Sequence, residues 1–309
     1  MIKKKINKNS SINKFLKLDS KPEYGSVINI SPKIRKIMAS NSSPFTLHGT
    51  GTYIVGKGSV AVIDPGPYDK SHIQAILNAT KGEKVSHIFI THTHLDHSPA
   101  ASLLKEATGS RTYGFGKHGL GNEELSQDDE GADHEFTPDY YIADKEKFYG
   151  AGWTLTGIHT PGHTSNHVCY SFIEENVMFT GDHVMGWSTT VVSPPDGNMG
   201  DYIKSLKKLL ERNEVYYYPT HGPKIENPQN FVRALISHRK MRETQLINRL
   251  KKGAATIDEM IPDFYASTNS RLWPAAARSL LALLNYLQKK NMVSFDGSTN
   301  REAKWYYLK

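Results

Sequence analysis

The chain has 309 residues, 38% of them hydrophobic and 22% charged, with a formal net charge of +7 and a pI near 9.1. That length suits one large domain and a small one, and no apolar run approaches the roughly 18 residues of a membrane-crossing helix, so no membrane segment is expected. The single cysteine, Cys169, rules out an internal disulfide and any metal site built on thiolates; with no apolar leader near the start, a cytoplasmic location is the expectation.

In chain order, residues 1–24 form a basic arm in which Lys3, Lys4, Lys5, Lys8, Lys14, Lys17 and Lys21 face few acids, the pattern of a solvated segment. A larger domain is expected over 25–227. From Gly51, GTYIVGKGSVAVIDPGP reads as two strands around a glycine turn, with Asp64 at the end of an apolar run. SHIQAILNAT repeats Ile73, Ile76 and Leu77 at helical spacing and stops at KGEK. The apolar run 85–90 is strand-like, ends in THTHLDH, and leads into a helix, SPAASLLKEAT.

Residues 109–147, with Asp128, Asp129, Glu130, Tyr140 and Tyr141, read as a polar surface excursion near the site. Strands follow over 153–159, 167–173 and 176–180, and the order of elements fits an α/β sandwich. A second domain is expected over 228–309. It comprises a helix over 228–252 carrying Phe231, Leu235, Met241, Leu246 and Leu250, then the helices TIDEMIPDFY and PAAARSLLALLNYLQKKN, and a hairpin turning at Asp296-Gly297. Three helices and a terminal hairpin resemble a small winged-helix module. Its last helix is mostly apolar, with Arg278 and Asn285 as the outward polar residues, so it reads as a packing helix. Lys251, Lys252, Lys289 and Lys290 remain candidates for phosphate contact.

The chemistry concentrates at strand ends. His92, His94, Asp96 and His97 lie within six residues after a buried run. In extended chain His92 and His94 point to the same side, so both can reach one ion. The following turn presents Asp96 and His97 to a second. Imidazoles mixed with carboxylates suit Zn, Mn or Fe, with Zn the default. Three later clusters repeat the arrangement: TPGHTSNH with His163, FTGDH with Asp182, and YYYPTHGP with His221, each beside a glycine that permits close approach. His183, His167 and Asn166 stand open between substrate contact and supporting packing, and Trp187, Ser188 and Thr189 are candidates for the pocket mouth. His159 and Cys169 read as structural.

Together HTHLDH, His163, Asp182, His221 and the early Asp64 resemble the metallo-β-lactamase superfamily over roughly Thr46 to Gly222. The resemblance implies an αββα sandwich with the metals at one edge and a small C-terminal winged-helix-like domain. It implies two divalent cations: His92, His94 and His163 on the first, Asp96, His97 and His221 on the second, Asp182 bridging, and Asp64 in support, with His183 beside Asp182 as a further candidate for support. Asp96 and Asp182 are the candidate catalytic carboxylates. Water activated between two metals is the implied nucleophile, so no serine or cysteine is required.

Within the superfamily, TGDHVMGWSTTVVSPPDG, THGPKIENP, ISHRKMRETQ and LWPAAARSLLALLNYL are similar to the β-lactamase-like protein two group, which includes a single-strand endoribonuclease. A true β-lactamase is disfavoured by Asp182, and the interval from Asp182 to His221 is too short for the inserted domain of the superfamily's large nucleases. The resemblance thus implies a hydrolase of an anionic or carbonyl substrate. A phosphodiesterase acting on single-stranded RNA is one expectation; a thioester, lactone or ester hydrolase is the alternative. Nucleic-acid binding through the C-terminal domain is a third, non-enzymatic reading, and a homodimer is implied by the group.

Overall fold

The computed structural model describes residues 11–121, 129, 131–266, 269–297 and 302–308. A first sheet runs in the spatial order β1 (Val27–Ser31), β2 (Ile34–Met38), β3 (Gly51–Lys57), β4 (Ser59–Ile63), β5 (Lys84–Phe89), β6 (Arg111–Gly114) and β7 (Tyr140–Tyr141). Its first four strands are an antiparallel meander, and β4 to β7 are parallel. Parallel neighbours need crossovers, which α1 (Lys70–Ala79) supplies between β4 and β5, and α2 (Ala101–Thr108) between β5 and β6.

The second sheet contains β8 (Lys147–Gly150), β9 (Trp153–His159), β10 (Val168–Phe172) and β11 (Val177–Gly181), antiparallel throughout. After α3 (Met199–Leu210), β12 (Tyr216–Pro219) joins it parallel to β11.

Alternation along β3 and β4 explains the layering, because successive side chains point to opposite faces. Ile54, Val60 and Val62 pack outward on Ile73 and Ile76 of α1 and Leu104 of α2. Tyr53, Val55 and Ile63 pack inward with Phe89, Leu155, Tyr170 and Phe179, between the sheets. On the far side Ile158, Cys169 and Met178 meet Tyr202, Leu206 and Leu209 of α3. The result is the αββα sandwich that the sequence implied.

The chain continues into α4 (Pro228–Leu250), α5 (Ile257–Tyr265) and α6 (Trp273–Lys289), then a hairpin of β13 (Val293–Phe295) and β14 (Trp305–Tyr307). Phe231 and Leu235 of α4 and Leu284 and Leu287 of α6 share the core of α3. The expected packing role of α6 fits its buried Ala276, Ala277, Leu280, Leu283 and Leu284. Arg278 is exposed, but Asn285 is half-buried and not outward. No helix among the described residues is long and apolar enough to cross a membrane.

Three features differ from the sequence reading. The described part of the basic arm is not simply solvated: Ile12 is buried in the core with Phe15 and Leu16 against it, Phe15 meets Phe231 of α4 at 5.9 Å between ring centroids, and Lys17 N–H donates to Gly186 O at 2.9 Å. Lys3, Lys4, Lys5 and Lys8 lie outside the described residues. The 109–147 segment contributes β6, β7 and buried Thr112, His118, Asp133, Phe136 and Ile142, while Asp128 and Glu130 lie outside the described residues. Finally, α3 and the β1–β2 hairpin have no counterpart in the sequence reading.

Candidate metal centre

Five strand ends, those of β4, β5, β9, β11 and β12, meet at one edge of the sandwich. Parallel pairing of β4 with β5 sets Ile63 opposite Phe89, so Asp64 N–H bonds Phe89 O at 2.9 Å and the Asp64 carboxylate faces the turn after β5. From there Oδ1 accepts the Thr91 N–H and Oδ2 the Thr91 hydroxyl, both at 2.7 Å. The same Oδ2 takes His97 Nδ1–H at 2.9 Å and the Thr220 hydroxyl at 3.2 Å. One buried carboxylate thereby ties the turns after β5 and β12 together. Gly181, with φ 51°, brings the end of β11 in: a Cβ there would lie 2.6 Å from His167 Nε2.

These turns bring all seven predicted ligand-type residues together. His92, His94 and His163 form one cluster, Asp96, His97 and His221 another, and His92, His97 and Asp182 a third between them; within each, the ligand atoms lie within 4.8 Å of one another. Asp182 Oδ2 is 3.8 Å from His163 Nε2, while Oδ1 is 3.4 Å from His221 Nε2 and 3.7 Å from His97 Nε2. Each oxygen thus faces a different cluster. Asp96 Oδ2 lies 3.0 Å from His221 Nε2 and 3.4 Å from His97 Nε2.

The outer ring nitrogens are committed to other partners. His163 Nδ1–H donates to Val191 O at 2.6 Å, His221 Nδ1–H to Gly49 O at 3.0 Å, and His97 Nδ1–H to Asp64. Each Nε2 is therefore turned inward, and in the neutral ring it presents its lone pair there. His92 Nε2 and His163 Nε2 approach His94 Nδ1 at 3.0 and 3.1 Å, and a single proton cannot bond both. His97 Nε2 and Asp182 Oδ1 are buried without a hydrogen-bond partner. Lone pairs converging on a common centre, with unpartnered atoms among them, are the donor set of a cation, and these residues fit a divalent metal.

Electrostatics point the same way. Burial and the neighbouring imidazoles push His92 far down, and burial with His163 brings His94 to about 3, so both are neutral donors. Burial also lowers His163. Burial would raise the Asp182 carboxyl, but His221 and His97 outweigh it and hold it at about 2. Burial would likewise depress His97, yet Asp96, Asp182 and Asp64 outweigh it and raise it well above its ordinary value. Three carboxylates thus demand positive charge here. Among the described residues their ion-pair partners are histidines alone, with no lysine or arginine.

The supporting residues are now placed. His167 is fully buried, its Nδ1 2.9 Å from the Thr160 hydroxyl and its Nε2 accepting the Asp182 N–H at 3.2 Å. Asn166 donates to Thr93 and to the Gly116 carbonyl. Both support the site from inside. His183 is also fully buried, against the Tyr202 ring at 4.9 Å. Trp187 is buried against Gly222, where a Cβ would meet its ring at 2.7 Å. His159 stacks on Phe115 at 3.6 Å, and Cys169, buried beside Thr160, has its thiol pushed up to about 12 by burial. The sequence reading missed Thr91, Thr220 and Val191, which orient ligands; the first two flank the ligand motifs, and Val191 acts through a backbone carbonyl that no sequence pattern marks.

The sequence model of the metallo-beta-lactamase superfamily matches residues 46–221. The chain belongs to that superfamily. A second model, the beta-lactamase associated winged helix domain, matches residues 256–305. A beta-lactamase-like protein 2 homolog of Drosophila melanogaster is 30% identical over 292 residues, 89% of this chain and 94% of its own. An atrochrysone carboxyl ACP thioesterase of Paecilomyces divaricatus is 32% identical over 234 residues, 75% of this chain and 68% of its own. Among solved structures, a metallo-beta-lactamase family protein of Thermus thermophilus superposes with a TM-score of 0.74 at 20% identity, covering 91% of this chain and all of the other, a likeness of fold. The superfamily's members are generally metal-dependent hydrolases, and this metallo-beta-lactamase fold carries a matching donor set.

Proposed function

We propose that the protein is a dinuclear metal-dependent hydrolase of acyl thioesters or related esters. The observation that carries the dinuclear reading is Asp182, whose two oxygens face two separate clusters of inward lone pairs. In this reading His92, His94 and His163 hold one cation, Asp96, His97 and His221 the other, and Asp182 bridges them. A pair of divalent cations held there supplies Lewis acidity and lowers the pKa of water toward neutrality. Asp96 Oδ2 is engaged by His221 and His97, which leaves Oδ1 to take the proton of the attacking water. That proton is then available to the leaving thiolate as the carbon–sulfur bond breaks.

Two observations favour an acyl substrate. Relatives sharing 26–32% identity bear the name atrochrysone carboxyl ACP thioesterase. The loops that support the ligands also expose Phe45, Leu95 and Leu120, apolar groups suited to an acyl chain. Single-stranded RNA is the second reading, motivated by the net charge of +7.

The test is a panel of acyl thioesters, esters, lactones and labelled single-stranded RNA, each with zinc or manganese, against wild type and Asp182→Ala. The expected result is metal-dependent thioester cleavage that falls by about a hundredfold or more in the variant. Cleavage of RNA with no acyl turnover would replace this reading with the second.

A further inference from the structure

The ISHRKMRETQ stretch lies in α4, outside the superfamily match, yet one of its side chains reaches the segment that supports the centre. Arg239 is buried, and among the described residues no carboxylate lies within ion-pair distance of it. A guanidinium taken out of water without a counter-charge is costly, so its remaining contacts matter. Nη2 donates to Thr190 O at 2.5 Å, and the guanidinium lies over the Tyr202 ring at 5.0 Å.

Both contacts lead to ligands. The Thr190 hydroxyl lies 2.7 Å from Asp182 O and 3.0 Å from His183 O, and the next carbonyl, Val191 O, accepts His163 Nδ1–H. Tyr202 donates its hydroxyl to His183 O at 3.1 Å. Its backbone packs so tightly on Gly162, the residue before His163, that a Cβ there would lie 2.3 Å from Tyr202 Cα.

We infer that Arg239 is a positioning residue for the metal centre: from the C-terminal helix it locks the 190–191 segment and Tyr202, and through them the placement of His163 and Asp182. This rests on the dinuclear reading of the site. A guanidinium serves where a lysine would not, because it can lie over the ring and donate from another of its N–H groups at once.

The test measures metal stoichiometry and affinity, by competition with a chromogenic chelator, together with the thermal midpoint of the metal-free protein. The proteins compared are wild type, Arg239→Met, Thr190→Val and Arg242→Met. Arg242, three residues on, bonds Phe264 O at 2.9 Å and faces Tyr265 in the C-terminal module, away from the centre. Arg239→Met and Thr190→Val are expected to weaken metal affinity about ten- to a hundredfold, the range typical when a ligand's outer support is removed. Arg242→Met is expected to lower the midpoint and bind metal as wild type does. Arg239→Met and Thr190→Val holding metal with wild-type affinity, or losing no more than Arg242→Met, would overturn the inference and leave the dinuclear reading intact. If Arg239→Met does not fold, Arg239→Lys decides: it keeps the buried charge but not the planar fork, and wild-type metal affinity in it would overturn the inference, whereas a loss of about tenfold or more is expected. A wild-type protein that takes up no metal would overturn both.

Discussion

Asp64 adopts φ 50°, a left-handed conformation that side-chain-bearing residues seldom take. The strain persists because four donors converge on its carboxylate: the Thr91 N–H and hydroxyl, His97 Nδ1–H and the Thr220 hydroxyl. An amide cannot serve them all, since its NH2 would face a donor. Asp64→Asn is therefore expected to loosen His97 and weaken metal affinity about tenfold or more, read by chelator competition. His72 makes a different statement about pH. The Thr52 hydroxyl donates to Asp64 O at 2.6 Å, so it accepts His72 Nε2–H at 2.7 Å, and His72 Nδ1 is left buried without a partner. Burial, against a weaker pull from Asp69, lowers His72 to about 4. Below the ordinary value of 6.5 the unfolded chain takes a proton that the folded chain refuses, so stability falls as pH drops from 6.5 to about 4 and the loss is complete below that. At 1.36 kcal/mol per unit this is about 3 kcal/mol, and His72→Gln is expected to flatten that part of the stability profile measured by denaturant unfolding.

At the scale of elements, what sequence could show depended on whether chemistry and periodicity coincided. The strands ending in HTHLDH, PGHT, TGDH and PTHG were legible because an apolar run stops at ligand-type residues beside glycine. Helix α3 was not: MGDYIKSLKKLL comes after a Pro-Pro-Asp-Gly loop and is half lysine and leucine, and its buried face appears only once Tyr202, Leu206 and Leu209 meet the second sheet. The 109–147 segment misled for another reason. Some of its polar residues are buried and paired, Thr112 donating its N–H and hydroxyl to the more exposed Asp139 and Asp133 accepting the Ser98 hydroxyl, and composition alone cannot distinguish a satisfied polar pair from a solvated one. Helix α5 shows the opposite case, with a local signal fully realised: the Thr256 hydroxyl accepts Glu259 N–H at 3.3 Å while Glu259 accepts Thr256 N–H at 2.9 Å. Thr256→Ala is expected to cost about 1 kcal/mol, seen in the denaturation midpoint, with metal affinity unchanged.

For the whole molecule, one apolar core runs from Ile12 through Cys169, Met178 and α3 to Leu284 and Trp305, so the sandwich and the C-terminal helices have no apolar boundary at which to separate. The candidate metal centre sits at the edge of that unit and burdens it with three carboxylates whose only ion-pair partners among the described residues are histidines. Cations that bind the folded chain alone stabilise it by mass action, about 4 kcal/mol when free metal exceeds its dissociation constant a thousandfold. For a chain of this size that corresponds to a midpoint shift of about 6 °C. Removing metal with a chelator is therefore expected to lower the calorimetric midpoint by about that much. Because the core is shared, the transition should move as one, with the helical signal of α4 to α6 lost together with the sheet signal. An early melting of the sandwich with the C-terminal helices left intact would mean that the two parts are stabilised independently, and that the contacts of α4 with α3 and the 190–191 segment carry no coupling.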